Sequence, residues 1–165
     1  MIKKLKCHCG EVEAEVKIPE TGIEKFMRCN CSLCKRKGYI IGVIGENDFK
    51  LIKGEKTLKL YQYYTKVAKH YFCSICKRKG YIIGVIGPDD FKLVKGEELL
   101  TLYQFKTKTA KHYFCKVCGI NTHNRPRSNP KIYGINIACV EGVNPYTLGD
   151  IPINDGENHP LDRKN

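Results

Sequence analysis

Three cysteines within six residues form the motif with the clearest chemistry. Cys29-Asn-Cys31-Ser-Leu-Cys34 places three sulfurs in one short loop and supplies no fourth cysteine of its own. Three protein ligands with an open position are typical of a catalytic zinc. Three thiolates leave that zinc a feeble Lewis acid for water, so the site better suits holding a substrate thiol as a nucleophilic thiolate. The alternative is a second structural site closed by a distant group such as Cys73, Cys76, Cys139 or a histidine.

The remaining cysteine pairs predict a structural zinc site. Cys7-His8-Cys9-Gly10 supplies a CxC, and Cys115-Lys-Val-Cys118-Gly119 supplies a CxxC whose glycine suits the tight turn of a zinc knuckle. Together they make a closed four-thiolate site, so we expect two Zn²⁺ ions per chain, one structural and one catalytic. Cys73 and Cys76 form another CxxC that could replace the later pair. We prefer Cys115 and Cys118 because Gly119 follows them.

The cysteine content also predicts a compartment. The first six residues carry charge but no apolar stretch follows them, and the longest uncharged apolar run is residues 39–45 or its copy. This pattern predicts neither a signal peptide nor a membrane span. Ten cysteines in a chain without an export signal indicate a reducing, cytoplasmic location. We therefore expect the thiols to bind metal and not to form disulfides.

The CxxC pairs recur because the chain repeats itself. Residues 31–72 return as residues 73–114 with changes at 10 of 42 aligned positions, and the CxxC returns a third time at Cys115. Two copies between unlike flanks are too few for a solenoid, so we predict a tandem duplication within a single domain of residues 1–165. The two copies cannot both take the same positions in one domain. We expect one whole copy to complete the domain and the other to form a β-hairpin extension or to exchange with a second chain, giving a homo-oligomer or segment-swapped dimer.

The net charge of +12 raises the question of a nucleic-acid partner. A four-thiolate and a three-thiolate zinc site would together lower the charge to about +9. The basic runs at residues 35–37 and 77–79 are short, and such runs are usually solvated loop surface. Nucleic acid is therefore not the partner that we predict.

The elements that must hold these cysteines are strands. Residues 11–17 alternate apolar and charged side chains, which predicts a half-buried strand. Residues 38–44, 58–64, 80–86, 100–105 and 132–140 are apolar runs rich in β-branched and aromatic residues. No long segment has a 3.6-residue period, so helices should be short or absent. The predicted fold class is mainly β.

Several motifs together resemble one family, that of the glutathione-dependent formaldehyde-activating enzymes and centromere protein V, a zinc-binding β-tent fold. They are Cys7-His-Cys9-Gly, Cys29-Asn-Cys31-Ser-Leu-Cys34, Thr107-Lys-Thr-Ala-Lys-His-Tyr-Phe-Cys115-Lys-Val-Cys118-Gly, Arg127-Ser-Asn-Pro, Tyr133-Gly-Ile-Asn-Ile-Ala-Cys139 and Asp155-Gly-Glu-Asn-His159-Pro160. The resemblance implies a structural zinc on Cys7, Cys9, Cys115 and Cys118 and a catalytic zinc on Cys29, Cys31 and Cys34. It also implies carbon–sulfur lyase activity, the reversible joining of a thiol such as glutathione to formaldehyde.

Other polar residues have weaker signals. Arg125 and Arg127 lie in a Pro-rich loop, where their guanidinium groups could bind the carboxylates of glutathione. His70 and His112 lie in strand-like segments as packed or surface residues, and Cys139 in an apolar strand is most simply a buried small hydrophobe.

The alternative to an enzyme is a zinc-stabilised binding module whose basic surface contacts nucleic acid or an acidic protein. A fourth protein ligand at the three-cysteine site would favour that module.

Overall fold

The structure is a computed structural model of the chain, and it describes residues 1–23, 25–62, 67–76, 80–105 and 107–154. The second basic run, residues 77–79, and the motif at residues 155–160 lie outside the described residues. No helix of the described part has the length and apolar character needed to cross a membrane.

The prediction of a mainly β fold is confirmed. The described residues contain one α-helix, α1 (Ser32–Lys37), and short 3₁₀ turns. The strands are β1 (Ile2–Lys6), β2 (Glu13–Lys17), β3 (Phe26–Met27), β4 (Ile41–Gly42), β5 (Phe49–Lys53), β6 (Leu58–Tyr61), β7 (His70–Cys73), β8 (Ile83–Ile86), β9 (Leu100–Tyr103), β10 (Lys111–Cys115), β11 (Asn121–Arg125) and β12 (Tyr133–Asn136).

These strands form four antiparallel groups among the described residues. A three-stranded sheet has the order β1-β2-β5, and a five-stranded sheet has the order β8-β12-β11-β10-β9. The other two are the pairs β3-β4 and β6-β7. β2 shows the predicted alternation, because Ala14 is buried between the less buried side chains of Glu13 and Glu15.

The two repeats are divided between different sheets. β5, from the first repeat, pairs with the N-terminal strand β2. The matching residues of the second repeat form no strand; Phe91 instead stacks on Tyr133, with ring centroids 4.2 Å apart. β8, β9 and β10, from the second repeat, pair within the sheet that contains β11 and β12. The expectation that one whole copy completes the domain was therefore wrong, because each repeat supplies strands to the flanking segment nearest to it in sequence.

Two hairpins of nearly identical sequence keep the same register in different surroundings. Leu58 faces Cys73 and Tyr61 faces His70 in the β6-β7 hairpin. In the β9-β10 hairpin, 42 residues later, Leu100 faces Cys115 and Tyr103 faces His112. β10 also pairs with β11, whereas the described partner of β7 is β6 alone. The chain therefore contains two equivalent CxxC hairpins.

The helix α1 is fixed to the five-stranded sheet by one buried amide. Asn136 is fully buried, and its Nδ2 donates to the carbonyl oxygens of Arg36 at 2.8 Å and Asn121 at 2.9 Å. Its Oδ1 accepts from the N–H of Ala138 at 3.1 Å. The amide thus satisfies a carbonyl at the end of the helix that would otherwise be buried without a donor.

A glycine ends α1 at a close approach of the two repeats. Gly38 caps the helix with φ +63°, and a Cβ there would collide with the carbonyl of Gly80, the same position in the second repeat. A Cβ on Gly80 would lie 2.7 Å from the carbonyl oxygen of Gly38. The first basic run is the last turn of α1 and not a loop, so the prediction of solvated loop surface was wrong.

Candidate metal centres

The first candidate metal centre is a group of four sulfurs. The Sγ atoms of Cys7, Cys9, Cys73 and Cys76 lie within 4.8 Å of one another. Cys7 and Cys9 sulfurs are 3.4 Å apart, and those of Cys9 and Cys73 are 3.6 Å apart. Tetrahedral zinc with Zn–S bonds of about 2.3 Å separates neighbouring sulfurs by roughly 3.8 Å, so the group fits a closed zinc site.

Two turns present these sulfurs. Cys7 follows β1 directly, and its carbonyl accepts from the N–H of Gly10 at 3.1 Å, which tightens the turn into β2. Gly10 has φ +78°, a conformation that glycine adopts at little cost. Cys73 ends β7, and the following turn carries Cys76. A strand end and a tight turn on each side are the local geometry of a zinc knuckle.

The pair beside Cys7 and Cys9 is Cys73 and Cys76, which the sequence offered as the alternative. The preferred pair, Cys115 and Cys118, belongs to neither sulfur group of the described residues. β5 pairs with β2, and the hairpin that follows β5 ends at Cys73, so this hairpin meets the β1-β2 turn. Gly119 does make the expected tight turn, with φ +72°, but a turn glycine does not decide which hairpin reaches Cys7.

The four thiols strongly affect one another's ionisation. Burial raises the pKa of Cys9 to about 12, with its neighbouring thiols adding to the rise. Burial alone would raise the pKa of Cys7 as well. The backbone N–H of Val12 and the adjacent thiols together outweigh burial and lower this pKa to about 7. The Val12 N–H donates to Cys7 Sγ at 3.2 Å. One thiolate therefore forms readily, and the ionisation of all four requires a cation among them.

The second candidate centre is the group of three sulfurs that the loop motif predicts. Cys29, Cys31 and Cys34 place their Sγ atoms within 4.8 Å of one another. Across the described ranges, no histidine, aspartate, glutamate or further cysteine joins them. Cys31 is exposed and Cys34 is buried, so the group opens toward solvent on one side only. This is the donor set of a zinc site with one position left for a substrate.

The loop and α1 hold these three side chains. Cys31 is the N-cap of α1, and its sulfur accepts from the N–H of Cys34 at 3.4 Å. That hydrogen bond is the largest influence on Cys31 and lowers its pKa to about 7. Burial raises the pKa of Cys34 to about 11, although the hydroxyl of Tyr39, 3.3 Å from its sulfur, acts in the opposite direction. The carbonyl of Cys29 accepts from the Tyr146 hydroxyl at 3.1 Å, which anchors the start of the loop.

A cavity of about 670 Å³ lies beside Tyr39, in the size range of small-molecule sites. Its lining includes three cations and no carboxylate: Lys6, Arg36 and Lys37. The Lys6 ammonium is 3.4 Å from the carboxylate of Glu13. The Lys37 ammonium lies over the Phe72 ring, 5.2 Å from its centroid, and burial lowers its pKa while the thiols of Cys118 and Cys34 act in the opposite direction.

The two arginines of the Pro-rich loop lie elsewhere. Neither Arg125 nor Arg127 lines this cavity. Arg125 is in β11, with its guanidinium carbon 4.7 Å from the centroid of the Tyr133 ring. On the same strand, burial and then Arg125 lower the pKa of His123 to about 4, so His123 is a neutral ring stacked on Tyr113. The substrate-binding role that we predicted for the two arginines gains no support from the cavity.

The remaining predicted candidates take structural positions. His70 in β7 is half-buried, and burial together with Lys37 lowers its pKa. His112 in β10 stacks on Phe105 with ring centroids 6.3 Å apart. Cys139 was expected in a strand but lies in a 3₁₀ turn after β12, half-buried. Neither histidine belongs to the two sulfur groups.

Sequence reasoning missed Tyr39, Lys37 and Asn136. Lys37 and Tyr39 follow Cys34 by three and five residues, so a short helix with a glycine stop would have placed both near the sulfurs. The Lys-Gly-Tyr order contains that signal. Asn136 offers no comparable signal, because only the packing of α1 on β12 shows which carbonyls its amide must satisfy.

Comparison with known proteins supports one family. The family model described as glutathione-dependent formaldehyde-activating enzyme matches residues 3–84. This segment contains all seven cysteines of the two sulfur groups and stops before Cys115. The chain is also 37% identical to a Rhodobacter sphaeroides protein whose crystal structure was solved as a structural genomics target; the match covers 91% of this chain and 98% of that one, with a TM-score of 0.34.

The repeat supplies a matched pair of substitutions that tests the four-sulfur group. We expect Cys76→Ser to lose the zinc of the four-sulfur group and to unfold the domain, since a structural zinc contributes on the order of 10 kcal/mol. Cys118→Ser, the same change at the equivalent residue of the other hairpin, should retain both ions and change stability by about 1 kcal/mol or less. Metal analysis and thermal denaturation measure both. Loss of zinc from the Cys118→Ser protein alone would contradict the assignment.

Proposed function

Because the chain belongs to the family of glutathione-dependent formaldehyde-activating enzymes, we propose that it is a zinc-dependent carbon–sulfur lyase. The reaction joins a thiol such as glutathione reversibly to formaldehyde or a related aldehyde. Cys29, Cys31 and Cys34 would hold the catalytic zinc. Cys7, Cys9, Cys73 and Cys76 would hold a structural zinc, giving two ions per chain.

The observation that carries this proposal is the open group of three sulfurs. Its members lie within 4.8 Å of one another, one of them is exposed, and the described residues offer it no fourth ligand of the usual types. A closed site would need such a ligand, as a purely structural role requires. The open position favours the enzyme over the zinc-stabilised binding module.

The chemistry follows from the donor set. When bound, zinc would hold the substrate sulfur as a thiolate and lower its pKa without removing its nucleophilicity. In the forward direction the thiol loses its proton, its sulfur forms a bond to the aldehyde carbon, and the carbonyl oxygen takes up a proton. The product carries a hydroxyl on the carbon bound to sulfur, and the reverse steps expel the aldehyde.

Tyr39 has a positioning role in this scheme. Its hydroxyl is 3.3 Å from the Cys34 sulfur, and burial, followed by the neighbouring thiols, raises the pKa of Tyr39. The phenol therefore stays protonated and can donate to the Cys34 thiolate. This bond fixes the orientation of the buried ligand, as outer hydrogen bonds commonly do at metal sites.

The cavity supplies a place for the body of the thiol. Tyr39 lies on its wall, and its hydroxyl is 3.3 Å from the Cys34 sulfur. The three sulfurs themselves do not line the cavity, so the thiol of a substrate bound there would reach them past Tyr39. Glutathione carries carboxylates, and the half-buried ammonium of Lys37 lies on the same wall. Arg36 is less free, because its Nη1 donates to the carbonyl of Ser32 at 2.6 Å. We assign a substrate carboxylate to Lys37.

The first test removes one ligand of the catalytic group. We expect Cys31→Ser to lose one of two zinc ions and thiol-dependent formaldehyde consumption, while its circular dichroism and melting temperature stay close to those of the wild type. The fold survives because the structural site uses other cysteines. Cys139→Ser, the same chemical change at a cysteine outside both groups, should retain activity. If Cys31→Ser unfolded as Cys76→Ser is expected to, the division into catalytic and structural sites would be wrong.

The second test concerns the substrate carboxylate. Lys37→Met should raise KM for glutathione about tenfold, the equivalent of one ion pair worth about 1.4 kcal/mol, with kcat little changed. A thiol without carboxylates, such as 2-mercaptoethanol, should show no change in KM. Lys35→Met removes a neighbouring charge that does not line the cavity and serves as the control. An equal effect of Lys37→Met on both thiols would refute the carboxylate assignment.

A further inference from the structure

The repeat leaves one CxxC hairpin without a CxC partner. Cys7 and Cys9 form the CxC between β1 and β2, and they lie against Cys73 and Cys76. The second hairpin has the same strand register and ends in the same way at Cys115. Its two thiols are therefore presented as a zinc knuckle presents them, yet the four-sulfur group does not use them.

The backbone of this turn holds the two thiols together. The N–H of Gly119 donates to the carbonyl of Cys115 at 2.9 Å, and the N–H of Cys115 donates to the carbonyl of Ile120 at 2.9 Å. The Cys115 and Cys118 side chains hydrogen-bond to each other. Both cysteines are half-buried, so small molecules can reach them. The turn thus holds an accessible pair of thiols at short distance.

In the described part of the chain, one cation interacts with this pair and another with the cysteine beside it. Lys37 interacts with Cys118, and Arg36 interacts with the neighbouring Cys139. Among the described residues, Cys115 and Cys118 belong to no group of three or more metal-binding side chains. A divalent cation would meet two adjacent positive charges and lack the ligands to complete its shell. Burial and the Cys115 thiol raise the pKa of Cys118, while Lys37 acts in the opposite direction. The two cations attract an anionic reagent.

We propose that Cys115 and Cys118 form a dithiol site that undergoes thiol–disulfide exchange with a small anionic disulfide. One thiolate attacks the disulfide, forms a mixed disulfide and releases one small thiol. The second protein thiolate then attacks the protein sulfur of the mixed disulfide. This step closes the Cys115–Cys118 disulfide and releases the second small thiol. Overall the two protein thiols are oxidised, the small disulfide is reduced to two thiols, and their protons pass to the products. The inference uses neither sulfur group and shares only Lys37 with the proposed lyase site.

The test treats the zinc-loaded protein with oxidised glutathione and measures intact mass, disulfide position by peptide mapping, and zinc content. We expect a mass loss of two hydrogen atoms, a disulfide that maps to Cys115 and Cys118, and full retention of zinc. Reduced glutathione should reverse the change. Cys139→Ser should behave as the wild type does.

Single substitutions trap the intermediate. Of Cys115→Ser and Cys118→Ser, the variant that keeps the attacking thiol should retain one glutathione as a mixed disulfide on that residue. Three results would overturn the proposal: no oxidation in excess reagent, oxidation that maps first to the two sulfur groups with release of zinc, or a further zinc ion bound by the wild type and lost in Cys118→Ser.

Discussion

The arrangement of this chain depends on one constraint. The turn that carries Cys7 and Cys9 can complete a four-sulfur group with only one of the two CxxC hairpins. Two hairpins of the same register compete for that place, and Cys73 with Cys76 occupies it. The β5 strand that leads to this hairpin then pairs with β2, beside the turn that carries Cys7. The other hairpin is left to extend the five-stranded sheet through β11. The division of the repeats between the sheets follows from this choice.

The three-sulfur group depends on the same division. β12 pairs with β8 from the second repeat, and Asn136 at the end of β12 holds the carbonyl of Arg36 at the end of α1. The contact between Gly38 and Gly80 brings the first repeat against the second directly after the helix. α1 therefore sits where both repeats meet, with its N-cap sulfur in the open group and its last turn on the cavity wall.

The features that could be predicted from the sequence are those that depend on a local pattern of residues. The alternation of apolar and charged residues around Ala14 predicted a strand. The spacing of Cys29, Cys31 and Cys34 predicted a compact group of three sulfurs. The sequence also predicted strands in both repeats where β6, β8 and β9 form, but not the helix of residues 32–37 or the lack of a counterpart to β5 in the second repeat. Ser32 to Lys37 is helical, while the nearly identical sequence that follows Cys73 begins as a turn. The choice of CxxC pair and the extent of short strands such as β4 depend on which strands lie beside them, and the sequence does not show that pairing.

The cysteines at the closed site can be identified directly by NMR spectroscopy. Zinc is replaced by NMR-active cadmium, and scalar couplings from the metal to cysteine β-protons are recorded on the folded protein. We expect one cadmium coupled to Cys7, Cys9, Cys73 and Cys76, and a second coupled to Cys29, Cys31 and Cys34. A cadmium coupled to Cys7 and Cys9 together with Cys115 and Cys118 would contradict this assignment.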